Sequence, residues 1–90
     1  MSAAVWKFPI PVKDEFALEM PRDAELLFVA AQGEQGFLWA RVITDDRVSG
    51  VMRHFRLRGT GHEVDLDCAH VGSFMLRGGA IVLHLFEVDR

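Results

Sequence analysis

One cysteine in ninety residues leaves no partner for an internal disulfide, so Cys68 suits a reducing compartment and no disulfide holds the fold together. A lone cysteine of this kind reads as a small buried hydrophobe before it reads as a nucleophile. Positive charge is also in short supply. Ten Lys and Arg face thirteen Asp and Glu, a formal net charge of −3, which argues against a generic nucleic-acid binder. No apolar run approaches the ~20 residues of a membrane helix. Met1–Lys7 lacks the charged lead and long apolar stretch of a signal peptide. A soluble protein with no membrane role, in a cytoplasm, is expected.

What the chain does have is apolar residues. Half of it is hydrophobic, with seven Phe and two Trp, enough for one compact core without metal or disulfide. A single β domain over residues 1–90 is expected. The supply exceeds what one small core can hide, and this surplus points to a homodimer.

Apolar and polar residues alternate with the period of a strand rather than a helix. In Val5–Val12, Trp6, Phe8, Ile10 and Val12 share one face, and Pro9 and Pro11 remove backbone donors, so this strand is expected at an edge or irregular. Glu15–Met20 alternates and ends at Pro21-Arg22-Asp23. Ala24–Ala31 is nearly all apolar. Gln32–Gly36 then offers glycines for a reversal longer than two residues into Phe37–Thr44. A helix over Asp23–Gln32 is the competing reading, but Phe28 and Val29 favour strand.

Asp45–Gly50 reads as a polar loop. Val51–Arg58 alternates, with Arg53 out of phase and so expected near a strand end or bulge. Gly59–Asp67 reads as turn and solvated loop. His70–Arg77 and Ala80–Val88 form a last hairpin around Gly78-Gly79, where positive φ is expected. The fold class is therefore all-β: a small antiparallel sandwich or partly open barrel of about seven strands. A core of Trp6, Phe8, Phe16, Leu18, Phe28, Trp39, Phe55, Leu57, Phe74, Leu83 and Phe86 is expected, with Trp39 and Phe86 near its centre.

Catalytic and metal chemistry find little support. His54, His62, His70 and His84 show no His-x-His or helical His-x-x-x-His pairing, so no metal site is expected. Ser49 and Ser73 have no Gly-x-Ser-x-Gly elbow, and His70 lies two residues from Cys68 with nothing to orient it as a base. Gly59-Thr60-Gly61-His62 is too short for a phosphate-binding loop and reads as a structural turn. No catalytic residues and no cofactor are assigned.

The best pointer to a site is basic. His54, Arg56 and Arg58 alternate, which places them in a row about 6–7 Å apart on one strand face. Arg53 lies beside them, and Arg47 and His62 lie in the flanking loops. Guanidinium forks so arranged can clasp a phosphate, a nucleotide or an acidic protein surface. The simpler reading is a solvated, positively charged face that guards an edge. Arg53, His54, Arg56, Arg58 and His62 are the candidate binding residues.

Several of these marks occur together elsewhere. Trp6-Lys7-Phe8-Pro9-Ile10, Met20-Pro21, Leu38-Trp39-Ala40, Phe55-Arg56, Gly59-Thr60-Gly61-His62 and Gly78–Glu87 follow one another in an order that resembles a family of short, uncharacterised phage and prophage proteins. The resemblance implies an accessory protein of the host cytoplasm that acts without catalysis. Its expected partner is a host or phage protein, with a role in counter-defence among the implied ones. The alternative is an oligomeric binder that sequesters a phosphorylated or nucleotide-like molecule.

Overall fold

The computed structural model describes residues 2–45 and 49–88. Its strands are β1 (Ala3–Ile10), β2 (Glu15–Pro21), β3 (Glu25–Gln32), β4 (Gln35–Ile43), β5 (Gly50–Gly59), β6 (Cys68–Leu76) and β7 (Ile81–Val88). They pair antiparallel into two sheets, β1-β4-β3 and β2-β5-β7-β6. The protein is an all-β sandwich, and among the described residues no ladder closes the sheets into a barrel. Glu25–Gln32 is strand, not helix: its hairpin partner β4 follows at once and pairs with it from Gln32↔Gln35 to Glu25↔Arg41, interrupted only at Leu27.

The turns follow their glycines, with one surprise. Gln32 pairs with Gln35, so the β3–β4 loop is two residues rather than longer, with Gly33 at φ 62°. Gly36 is therefore not a turn residue. The last hairpin turns through Arg77–Ala80, and Gly78 and Gly79 take positive φ (63° and 97°), as does Arg77 at 53°. The two hairpin tips are tied together, since the Arg77 N–H donates to both carboxylate oxygens of Glu34 at 3.0 and 3.1 Å.

The sheets meet chiefly where β3 crosses β6. Each of these strands carries a β-bulge, β3 between Leu26 and Phe28 and β6 between His70 and Gly72. Bulges bend a strand and sharpen its twist. Two glycines let the backbones approach. A Cβ on Gly72 would lie 2.7 Å from Val29 Cβ, and one on Gly36 would lie 2.6 Å from the Phe74 ring. The core between the sheets holds Ile10, Met20, Val29, Leu38, Ala40, Val42, Phe55, Leu57, Phe74 and Leu85. Phe16 stacks on Phe55 with centroids 5.6 Å apart.

That core corrects the expected one. Phe55, Leu57 and Phe74 are buried as expected, and Phe8, Phe16, Leu18 and Leu83 pack partly buried against them. Trp39 and Phe86 are only half-buried, and Trp6 and Phe28 are exposed. In β4 the small alternates Gly36 and Ala40 face inward with Leu38 and Val42, because the close seam admits them and not an indole. In β3 the bulge adds Leu27 between Leu26, which faces the core, and Phe28, which is thereby turned outward.

Candidate binding surfaces

Two outer faces result, and they differ in chemistry. On the four-stranded sheet, Phe55 and Leu57 point into the core, so His54, Arg56 and Arg58 point out, as the alternation required. Because β5 and β6 both run antiparallel to β7, they are parallel to each other. Their connection, residues 60–67, must return from one end of the sheet to the other. It runs past the outer face, held by the arginines: Arg56 pairs with Asp65 as well as Glu15, and Arg58 Nε donates to the Glu63 carbonyl at 3.2 Å. Arg58 Nη1 also donates to the Asp14 carbonyl at 2.8 Å, anchoring the β1–β2 loop.

Arg53 points the other way, toward the core edge. It lies inside the unshifted β2–β5 ladder, opposite Leu18, and so at neither a bulge nor a strand end. Its guanidinium grips Glu87 of β7 through Nε (2.6 Å) and Nη2 (2.8 Å), and Nη1 donates to the Ala24 carbonyl at 2.6 Å. One side chain thus ties β5 and β7 to the residue that precedes β3. The hydrogen bond to Glu87 holds the Arg53 proton above the ordinary arginine range, against the opposing effect of burial. Of the remaining candidates, His54 is exposed on the outer face and His62 lies in the Gly59–His62 turn with its ring against Gly59. Arg53 and His54 border one cleft of about 530 Å³, and His62 borders another of about 660 Å³. Arg47 lies outside the described residues.

Folding also assembles a polar chain that sequence spacing does not reveal. Ser73 Oγ lies 2.7 Å from His84 Nδ1 and 3.2 Å from His70 Nε2, and Thr60 Oγ1 lies 2.8 Å from His84 Nε2. A serine on a histidine suggests a nucleophile, but here both His84 ring nitrogens are held by hydroxyls and, among the described residues, no carboxylate orients the base. The group lies exposed on the sheet and fastens the start of the 60–67 connection to β7. Among the described residues no three His, Cys, Asp or Glu side chains gather as metal ligands.

The outer face of β1-β4-β3 is aromatic. Alternation puts Phe37, Trp39 and Arg41 of β4 outward, and the registers add Val5 and Lys7 from β1 and Phe28 from β3. Phe28 and Trp39 sit 5.6 Å apart and tilted, and Phe37 and Trp39 6.0 Å apart. Phe28 is 59% and Val5 57% exposed. Charges rim the patch: Lys7 Nζ lies 4.4 Å from the Phe37 centroid, and Arg41 pairs with Glu25. The alternation pattern assigns Phe28 and Trp39 to the core and so does not reveal this face.

The whole chain, residues 1–90, matches the model of a domain of unknown function, DUF7352. The protein belongs to the DUF7352 family. No curated protein and no solved structure matches it. This DUF7352 domain therefore has to be read from its own two surfaces. One has its arginines committed to intramolecular partners; the other is aromatic, with Phe28 exposed and Lys7 folded over Phe37 at its rim.

Proposed function

We propose that this DUF7352 protein is a non-catalytic binding protein that docks a protein partner on the aromatic face of β1-β4-β3. The carrying observation is the contiguous Phe28–Trp39–Phe37 cluster on an outer sheet face, with Phe28 exposed, Trp39 and Phe37 half-buried, and Lys7, Arg41 and Glu25 at its rim. Aromatic residues with a polar rim are the composition of interface hot spots. Resemblance to short phage and prophage proteins supports a host or phage protein as the partner, met in the host cytoplasm, with counter-defence as the setting. No helix among the described residues is long and apolar enough to cross a membrane.

The experiment is affinity capture from infected-cell lysate with the wild-type chain and with a W39S/F28S variant in parallel. A partner held by the wild type and lost by the variant, at an unchanged circular dichroism spectrum, supports the reading. A partner retained equally by both refutes this face. The second reading is capture of a phosphorylated or nucleotide-like molecule at the arginine stripe. Such a ligand would displace Asp65 and Glu15 from Arg56 and the Glu63 carbonyl from Arg58. A nucleotide thermal-shift panel separates the two, since a ligand at ~100 Kd adds about 2.7 kcal/mol of stability.

A further inference from the structure

The free edge of β1 carries a feature that neither outer face explains. Among the described residues β1 is hydrogen-bonded to β4 alone, which leaves the backbone donors and acceptors of its other side unpaired by any described strand. Exposed edges of this kind recruit further strands unless charge, proline or a covering segment blunts them. Here the protection is partial. Pro9 and Pro11 blunt the far end, while Ala3–Phe8 contains no proline. Lys7 is the only charge in that stretch, and its ammonium is folded back over its own sheet, 3.0 Å from Gln32 Oε1 and over Phe37. It does not guard the edge. Beside it Val5 and Trp6 are 57% and 45% exposed, on opposite faces of the same strand.

We infer that β1 pairs edge to edge with β1 of a second copy, antiparallel about a two-fold axis at Val5, joining two three-stranded sheets into one of six. The segment Ala3-Ala4-Val5-Trp6-Lys7 is complementary to itself in that register. Val5 meets Val5, the Trp6 indole covers Ala4 of the second copy, and the Lys7 stem lies along Ala3. Each bulky residue meets a small one, and a two-fold contact must be self-complementary in this way. Moving the axis by one residue, a register shift of two, would set Trp6 against Trp6 or Ala4 against Ala4, and lose the match.

The surface area fits the same occupant. The chain exposes 5876 Å², whereas a folded monomer of its mass should expose about 5,300 Å². The surplus of roughly 600 Å² approaches the ~800 Å² per subunit of a standard interface. The pairing goes beyond the docking proposal and does not depend on it. It would set the two aromatic faces side by side on one continuous sheet surface, with the paired Val5 residues between them.

Light scattering on the full chain at about 100 μM tests the stoichiometry. A mass near twice 10.1 kDa is expected, and a monomer mass overturns the inference. V5K places like charges opposite each other on the axis and should weaken the dimer at least tenfold; a dimer as strong as wild type overturns the pairing. Cross-linking gives the register and holds even if V5K fails to fold. In a C68S background oxidised with glutathione disulfide, V5C should link into a covalent dimer. A3C should not, because the two Ala3 positions would lie about 14 Å apart along the strands, beyond the ~7 Å Cα reach of a disulfide. Equal cross-linking of both overturns the register. W39S should leave the dimer intact, which separates failure of this inference from failure of the docking proposal.

Discussion

Replacing Gly36 with alanine adds one methyl group at the tightest point of the seam, where the structure sets a definite penalty. Gly36 is buried, and its φ is not positive, so alanine meets no backbone strain there. The whole penalty is steric. The new carbon would lie 2.6 Å from Phe74 Cε2 and Cζ, against the ~3.5–4.0 Å at which carbon atoms rest. The ring would have to retreat by about 1 Å. Phe74 is buried with 4% of its surface exposed and cannot swing into solvent. Overpacking of this kind costs about 1–3 kcal/mol, while alanine recovers about 0.4–1 kcal/mol by restricting the unfolded chain.

A net loss of about 1–2 kcal/mol is expected for G36A, a fall in Tm of roughly 5–10 °C for a domain this small. Urea unfolding with an unchanged m-value is the assay. The decisive variant is G36A/F74L, since leucine lacks the two ring atoms that clash most. F74L alone should destabilise, yet G36A should cost almost nothing in its presence, a coupling of about 1–2 kcal/mol. Additive effects would refute the claim that Gly36 exists to admit the Phe74 ring.

Three further outcomes are expected. E87Q should cost about 1–2 kcal/mol in urea unfolding, because it leaves the partly buried Arg53 guanidinium without its carboxylate, and R53M/E87Q should recover part of that loss. F55A should cost about 3–5 kcal/mol and F86A clearly less, since Phe55 is fully enclosed between the sheets whereas Phe86 is half-buried on an outer face. R56M should leave the global melting temperature nearly unchanged while speeding proteolysis and amide exchange within residues 60–67, whose hold on the sheet includes the Arg56–Asp65 pair.

The strands were legible because alternation reports the pleat directly, and the final hairpin because Gly78-Gly79 can take positive φ. Which face of a strand turned inward was less legible. In β4 both alternates are apolar, so hydrophobicity cannot choose between Leu38/Ala40/Val42 and Phe37/Trp39; the choice is made by space at the seam, a property of the sheet opposite. In β3 nothing polar or flexible marks Leu27 as a bulge, and one extra residue reverses the side on which Phe28 stands. Gly36 looked like a turn residue because glycine serves both turns and close approaches. The basic stripe was placed correctly on its face. Its partners Glu15 and Asp65, like the Ser73–His84 contact, depend on strand order, which one sequence does not state.

Strand order also accounts for the contrast between the two outer faces. A connection between parallel strands has to travel the length of the sheet, and between β5 and β6 that connection carries Glu63 and Asp65 past the arginines beneath it. Positive charge on that face is thus tied to the path of the chain: remove Arg56 or Arg58, and the return segment loses part of its hold. On β1-β4-β3, both ladders are antiparallel and the β3–β4 turn takes two residues, so the β3–β4 link never crosses the face. Phe28 and Trp39 are cross-strand partners whose ring contact adds about 0.2–1 kcal/mol to the sheet, but no connection of the chain depends on them. Arginines on the first face answer to the fold, whereas aromatic side chains on the second are free to answer to a partner. That is the physical reason to look for function on the face that the fold leaves uncovered.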